Sequence, residues 1–308
     1  MKKLSYAIVG SGALGALYGA RLHHAGFETH FLFHGDYDHV RQHGLRVDSP
    51  WGDLHLRGIN AYQRVGDMPV CDVVCIGLKT TQNHLLPTLL PPLVRAGTAV
   101  ILMQNGLGAE EEVAALLPQA MVGGGLCYLC SSKIAPGHIH HQDYGRVMFG
   151  AHSPGMEDVL KQVAADFAQG GVPVQLTKNL AEGRWRKLGW NIPYNGLSVV
   201  LNAETNEIMD HLETRELSRQ LMIEVLAGAR ACGHPIEAEF VEQLLGFTVK
   251  MKPYSPSMKL DFQARRPLEV EYLYERPLQQ ARQAGVELPR IAALTAQLRF
   301  LDTRNCLK

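Results

Sequence analysis

Lys187, Asn191 and Asn195 stand four residues apart, a spacing that puts one ammonium and two amides on a single face of a helix. Their neighbours Trp185, Leu188, Trp190 and Ile192 are large and apolar and should be packed. Amides and an ammonium among such neighbours need hydrogen-bonding partners, which a small polar ligand would supply. The spacing alone also fits a solvated helical face. Pro193 lies inside the same stretch, where its ring presses on the carbonyl four residues back; that residue is Gly189, and a kink is expected.

A second chemistry-bearing stretch opens the chain. The apolar run Ala7-Ile8-Val9 breaks into Gly10-Ser11-Gly12-Ala13-Leu14-Gly15 and resumes as a helical pattern, with a further apolar run at 29–33. Strand, glycine turn and helix in this order form a dinucleotide-binding βαβ unit. Gly10 makes the turn, Gly12 admits a pyrophosphate, Gly15 lets the helix approach the sheet, and the helix N-terminus favours the phosphate charge. An ordinary glycine turn is the plain alternative. A secretory leader beginning at Met1-Lys2-Lys3 is another, opposed by the glycines that would interrupt its apolar stretch.

Around these residues the chain has the composition of a soluble globular protein. It has 308 residues, 46% hydrophobic and 19% charged, with 30 Lys+Arg against 30 Asp+Glu, which leaves no basic excess for nucleic acid. No apolar run is long enough for a membrane span. The six cysteines, Cys71, Cys75, Cys127, Cys130, Cys232 and Cys306, follow no disulfide framework, and a reducing cytoplasm suits them. Cys127 and Cys130, with His138, His140 and His141 downstream, match no defensible zinc spacing; core packing is the expected use, with no metal.

The elements that must position the site follow from pattern. A short helix is expected over 36–44, then strands over 45–48 and 53–56. The continuous apolar run 71–77 reads as a buried parallel strand ending in Leu78-Lys79-Thr80, followed by a helix over 85–94. A strand over 98–103 ends in Gln104-Asn105-Gly106. Ligands of doubly wound sheets bind off strand carboxyl ends, so Lys79 and Asn105 belong to the cofactor side. Strands over 121–128, 138–142, 146–149 and 172–176 and a helix over 156–169 complete the first domain. Beyond 178 only helical patterns remain, over 184–195, 214–232, 238–250, 267–285 and 289–300, which places the domain boundary there.

In order, Gly10-Ser11-Gly12-Ala13-Leu14-Gly15, Leu78-Lys79-Thr80, Gln104-Asn105-Gly106-Leu107-Gly108, Lys187-x-x-x-Asn191-x-x-x-Asn195, Ser257-Met258-x-x-Asp261 and Leu268-Glu269-Val270-Glu271-Tyr272 resemble the ketopantoate reductase family over nearly the whole chain. The resemblance implies a Rossmann-type α/β domain with a parallel sheet over 1–178 that binds NADP(H), and an all-α domain over 179–308 for substrate and catalysis. It implies NADPH-dependent reduction of 2-dehydropantoate to (R)-pantoate in pantothenate synthesis. In that reaction Lys187 is the catalytic residue, its ammonium stabilising charge on the ketone oxygen and donating the proton. By the same likeness Asn191 and Asn195 bind the substrate's hydroxyl and carbonyl ends, Ser257 its carboxylate, and Asn105 stands between cofactor and substrate. The cofactor would be held by Gly10, Ser11, Gly12, Ala13, Leu14, Gly15, His34, Lys79, Asn105 and Glu269. Read without the family, Glu269 is a helix-surface charge among Glu271, Glu275 and Arg276.

The chain also departs from the family pattern. Glu275-Arg276 stand where such chains carry Asn-Gly, and Thr205, flanked by Asn202 and Asn206, stands where a further substrate asparagine is expected. A reductase of another 2-oxoacid and a non-catalytic NADP(H)-binding regulator therefore stay open. Lys187 together with Asn105, Ser257 and Glu269 weighs against the regulator. For the cofactor's 2′-phosphate an NADP-type site offers a cation after the second strand. Here that residue is His34, with Arg41 one turn on, while Asp36 reads as a turn or helix N-cap. The expected partners are a small 2-oxoacid and, through an apolar helix of the second domain, another copy of the chain.

Overall fold

The computed structural model describes residues 3–306; Met1 and Lys2, on which the leader reading rests, and the side chain of Cys306 lie outside the described residues. The chain divides into two compact units, one of residues up to Gln104 with Ala109–Leu180, the other of Asn105–Gly108 with the residues from Ala181 on.

The first unit runs β1 (Tyr6–Val9), α1 (Ala13–His24), β2 (Thr29–Leu32), α2 (Tyr37–His43), β3 (Leu45–Asp48), β4 (Leu54–Leu56), β5 (Asn60–Tyr62), β6 (Val73–Ile76), α3 (Leu86–Leu89), β7 (Ala99–Leu102), α4 (Ala109–Leu116), β8 (Met121–Ala135), β9 (His138–Ala151), α5 (Met156–Gln169) and β10 (Val174–Thr177). β1, β6 and β7 are apolar and buried along their whole length, as strands covered on both faces must be. The strand order is β4-β3-β9-β8-β7-β6-β1-β2-β5, with β10 on β9. β1 pairs in parallel with β2 on one side and β6 on the other, so its carboxyl end is the topological switch point. Beneath it, Tyr6, Phe27, Phe31, Phe149 and Phe167 belong to one aromatic-rich core.

Several local expectations change. The sheet is mostly parallel, but β3–β4 and β8–β9 are antiparallel. The separate strands expected over 121–128, 138–142 and 146–149 are two long ones, β8 and β9, joined at Pro136-Gly137. Register shifts along the pair and a positive φ at Tyr144 (59°) carry the strands through the residues between the expected ones. The helix expected over 85–94 is one α-turn, α3, between 3-10 turns at Thr80–Leu85 and Pro91–Leu93. Pro91 and Pro92 lack the N–H groups that a continuous helix would require there. β5 and α4 were not expected.

The second unit is all-helical: α6 (Leu180–Val200), α7 (Thr205–Asp210), α8 (Leu212–Ala231), α9 (Glu239–Lys250), α10 (Ser257–Gln263), α11 (Arg276–Gln283) and α12 (Pro289–Cys306). The helix expected over 267–285 enters α11 through a π turn at Glu271–Glu275, just ahead of Pro277. The wider turn is where the hydrogen-bond register changes before a residue with no N–H. α6 continues through Pro193. Trp185, Leu188, Ile192 and Tyr194 of α6 share a core with Leu221, Met222 and Val225 of α8. Buried Glu224 of α8 accepts the N–H groups of Arg290 (3.0 Å) and Ile291 (3.0 Å), capping α12 from outside its own segment. No helix among the described residues is long and apolar enough to cross a membrane.

Candidate active site

In the α/β unit the glycine turn follows β1 at the switch point. Gly10 has φ +92°, and a Cβ there would lie 2.5 Å from the Leu78 N, so the turn has no room for a side chain. A Cβ on Gly15 would lie 2.3 Å from the Gly10 carbonyl oxygen, which fixes the close start of α1. Gly12 is different: nothing lies within 4 Å of its Cβ position. Packing gives no reason for a glycine there, and the open space adjoins the first turn of α1, which no side chain caps. Beside it the buried Ser11 Oγ has no hydrogen-bond partner. An open cradle, uncapped helix N–H groups and an orphaned hydroxyl fit a dinucleotide pyrophosphate.

His34 is exposed just past β2, and Lys79 is half-buried at the start of the 3-10 turn after β6. Sequence reasoning passed over Gln104, which donates through Nε2 to the Leu78 carbonyl (2.9 Å) and to Asn83 Oδ1 (2.6 Å), tying down the loop that carries Lys79. Its signal was its place at the end of a buried strand. Asp36 does occupy the N-cap position of α2, but its side chain makes no cap bond. Its carboxylate instead accepts from Lys133 Nζ (2.8 Å) and the Gly137 N–H (3.1 Å), because the β8–β9 hairpin brings a cation closer than the helix brings its amides. The Arg41 guanidinium stands 5.9 Å from the Tyr37 ring centroid. Cys127 and Cys130 are buried in β8, and no group of three or more metal-ligating side chains forms among the described residues.

In the helical unit the remaining candidates come from four segments that the packing joins. Asn191 and Asn195 are buried on α6 and Lys187 is half-buried on the same helix. Asn195 Oδ1 accepts the Met258 N–H (3.2 Å), linking α6 to the first turn of α10, where Ser257 is half-buried. Tyr274 Oη donates to the Ile192 carbonyl (3.0 Å), linking α6 to the helix that follows Glu269. Burial pushes the Tyr274 phenol well above its ordinary pKa, so it remains a donor. The Asn105 segment joins the same helix: the Leu107 N–H donates to the Tyr272 carbonyl (3.0 Å), and a Cβ on Gly106 would lie 2.3 Å from that oxygen. Glu269 is buried, not the surface charge it resembles when read alone. Of the residues at the Thr205 departure, Asn202 is exposed and Thr205 is buried, whereas Asn206 keeps a buried Oδ1 with no partner.

A glycine turn open only in front of Gly12, and an all-helical unit whose longest helix carries an ammonium and two amides on one face, define a dinucleotide-dependent oxidoreductase of the Rossmann class. The chain belongs to the ketopantoate reductase family. The model "Ketopantoate reductase PanE/ApbA" matches residues 6–154, and "Ketopantoate reductase PanE/ApbA C terminal" matches residues 179–302. The chain is 52% identical to a 2-dehydropantoate 2-reductase of Nostoc sp., over 99% of this chain and 97% of that one. Its fold is similar to a solved 2-dehydropantoate 2-reductase from Geobacter metallireducens, with TM-score 0.93 and 39% identity, covering 96% of this chain and 99% of that one. It is also similar to the enzyme from Methylococcus capsulatus, with TM-score 0.91 and 32% identity, covering 98% of each.

Proposed function

We infer that this chain is a nicotinamide-dependent 2-dehydropantoate 2-reductase, reducing the ketone of 2-dehydropantoate to the hydroxyl of pantoate. The observation that carries this is 52% identity, over nearly its whole length, to a relative of that activity. The Lys187, Asn191 and Asn195 face gives it a chemical basis. The bound reduced nicotinamide supplies a hydride to the ketone carbon. Lys187 then has two tasks: its ammonium offsets the negative charge that grows on the ketone oxygen, and it gives that oxygen a proton. Asn191 and the Nδ2 of Asn195 orient the hydroxyl and carbonyl ends, and Ser257 donates to the carboxylate. Asn105 and Glu269 are assigned to the nicotinamide end. Gly10 to Gly15, with Ser11 Oγ, take the pyrophosphate, and Lys79 lies on that side of the sheet.

The preferred cofactor in this reading is NADPH. The support is that Asp36, the nearby carboxylate that could accept from a ribose hydroxyl, is already engaged by Lys133, while His34 is exposed where a 2′-phosphate would need a cation. A cytoplasmic homodimer belongs to the same reading, through exposed apolar side chains of the helical unit such as Leu212, Phe247 and Val249. Purified protein mixed with NADPH and a panel of 2-oxoacids tests the whole reading by loss of cofactor absorbance. 2-Dehydropantoate should be the best substrate. Preference for another oxoacid would reassign the substrate, and no turnover with any of them would leave a binding protein.

A further inference from the structure

Away from the glycine turn, the α/β unit carries an open surface cavity of about 420 Å³, between the end of α2, strands β3 and β4, and the Pro136 turn. Six of the side chains lining it are basic or imidazole: His39, His43, Arg46, His55, Arg57 and His138. No Asp or Glu among the described residues lines it, although the chain as a whole carries equal numbers of acidic and basic residues. Asp48, behind the wall, accepts from Arg46 Nε (2.8 Å) and His138 Nε2 (2.8 Å) and so fixes both. His55 Nε2 lies 2.9 Å from the His43 carbonyl, as a donor. The His39 and His43 rings stand 4.8 Å apart, one helical turn from each other. At that separation both rings can offer an N–H to an anion seated between them.

We propose that this cavity is a binding site for a small anion with two or more phosphate groups, free or carried on a nucleotide. Its volume falls within the range of about 300–1,000 Å³ usual for small-molecule sites, more room than a single phosphate fills. Guanidinium and imidazolium donors match phosphate oxygens in both charge and geometry. The charged and donor groups around the site are His39 and His43 on α2, Arg46 and Asp48 on β3, His55 on β4, Arg57 beyond it and His138 on β9. Asp36 and Lys133 lie behind the turn, where Asp36 accepts the Gly137 N–H.

The test is calorimetric titration of pyrophosphate, and separately ADP, into protein already saturated with NADPH, so that the cofactor's own phosphate sites are filled. A prior NADPH titration reports separately on that cofactor reading. The parent protein should bind one anion per chain. Arg57→Ala, at an exposed position, should weaken binding about tenfold, as should His39→Ala combined with His43→Ala, with NADPH affinity and Tm kept. Tighter ADP than pyrophosphate binding identifies a nucleotide as the carrier, and the reverse identifies free polyphosphate. No binding by the parent protein, or parental affinity in both variants, overturns the proposal.

Discussion

The side-chain oxygen of Asn195 accepts the backbone N–H of Met258 at 3.2 Å, so one of the two amides assigned to the substrate also fixes the residue next to Ser257. The first N–H groups of α10 have no partner within that helix, and a side chain from α6 supplies one. In the proposed reading the two halves of the amide do different work, Oδ1 holding the protein and Nδ2 serving the ligand. Asn195→Ala leaves a buried N–H unsatisfied, at a cost of about 1–3 kcal/mol, and should also raise the KM for the oxoacid. Asn195→Asp keeps the acceptor but not the donor. Urea unfolding should show stability recovered in the Asp variant, while steady-state kinetics show KM still raised. Recovery of both would confine Asn195 to the structural task.

Lys187→Ala should reduce kcat by about 10²–10⁴-fold, because the role proposed for its ammonium is to act on charge present mainly in the transition state. NADPH affinity, measured by equilibrium titration, should hardly change. Near-parental turnover in this variant would remove Lys187 from the proton transfer.

His34 and Asp36 are two residues apart and should separate cleanly. His34→Arg should tighten NADPH and leave NADH unchanged; His34→Ala should weaken NADPH alone. Asp36→Ala should lower Tm, since it breaks a charge-assisted bond to Lys133 and leaves the Gly137 N–H unpaired, with little change in the ratio of NADPH to NADH affinity. A large shift of that ratio in Asp36→Ala, with none in the His34 variants, would make Asp36 the selectivity residue.

What could be read from sequence followed the strength of the local signal. The glycine turn and the amide stripe of α6 are local patterns, set by strand-to-helix geometry and by a 3.6-residue period, and both were legible. α7 and α10 were not, because six or seven residues hold too little of that period to register. Asp36 does lie in the turn at the N-cap position of α2, but the use of its carboxylate was not legible: its partner Lys133 is nearly a hundred residues away, and only the continuity of β8 brings it close. The burial of Glu269 likewise depends on distant packing, which a helix rich in Glu and Arg disguises. Gln104 was hidden by the Asn105-Gly106 pair beside it, which draws attention as a turn.

The last prediction concerns acid stability and rests on His141, buried in β9 with its ring 4.4 Å from that of Trp51. Its Nε2 faces the carbonyls of Asp143 (3.1 Å) and Tyr144 (3.2 Å) and so carries the hydrogen. Its Nδ1 therefore accepts from Ser49 Oγ (2.9 Å), whose oxygen in turn accepts from Arg21 Nη2 (3.2 Å). Burial lowers the His141 pKa, helped by the Arg21 charge and opposed by the two carbonyls. The unfolded chain then binds the proton more readily than the folded one, so stability is full above about pH 6.5 and is lost as pH falls from there toward the folded-state value. Asp166, which burial raises while the Tyr6 hydroxyl at 2.5 Å opposes the shift, acts with the opposite sign. The measurement is therefore a comparison of parent and His141→Gln by urea unfolding at several values between about pH 5 and pH 8. The variant should be less stable near pH 8, where a fitted ring is lost, and its stability should fall less steeply below about pH 6.5. Equal slopes in the two proteins would show that His141 does not set the acid response.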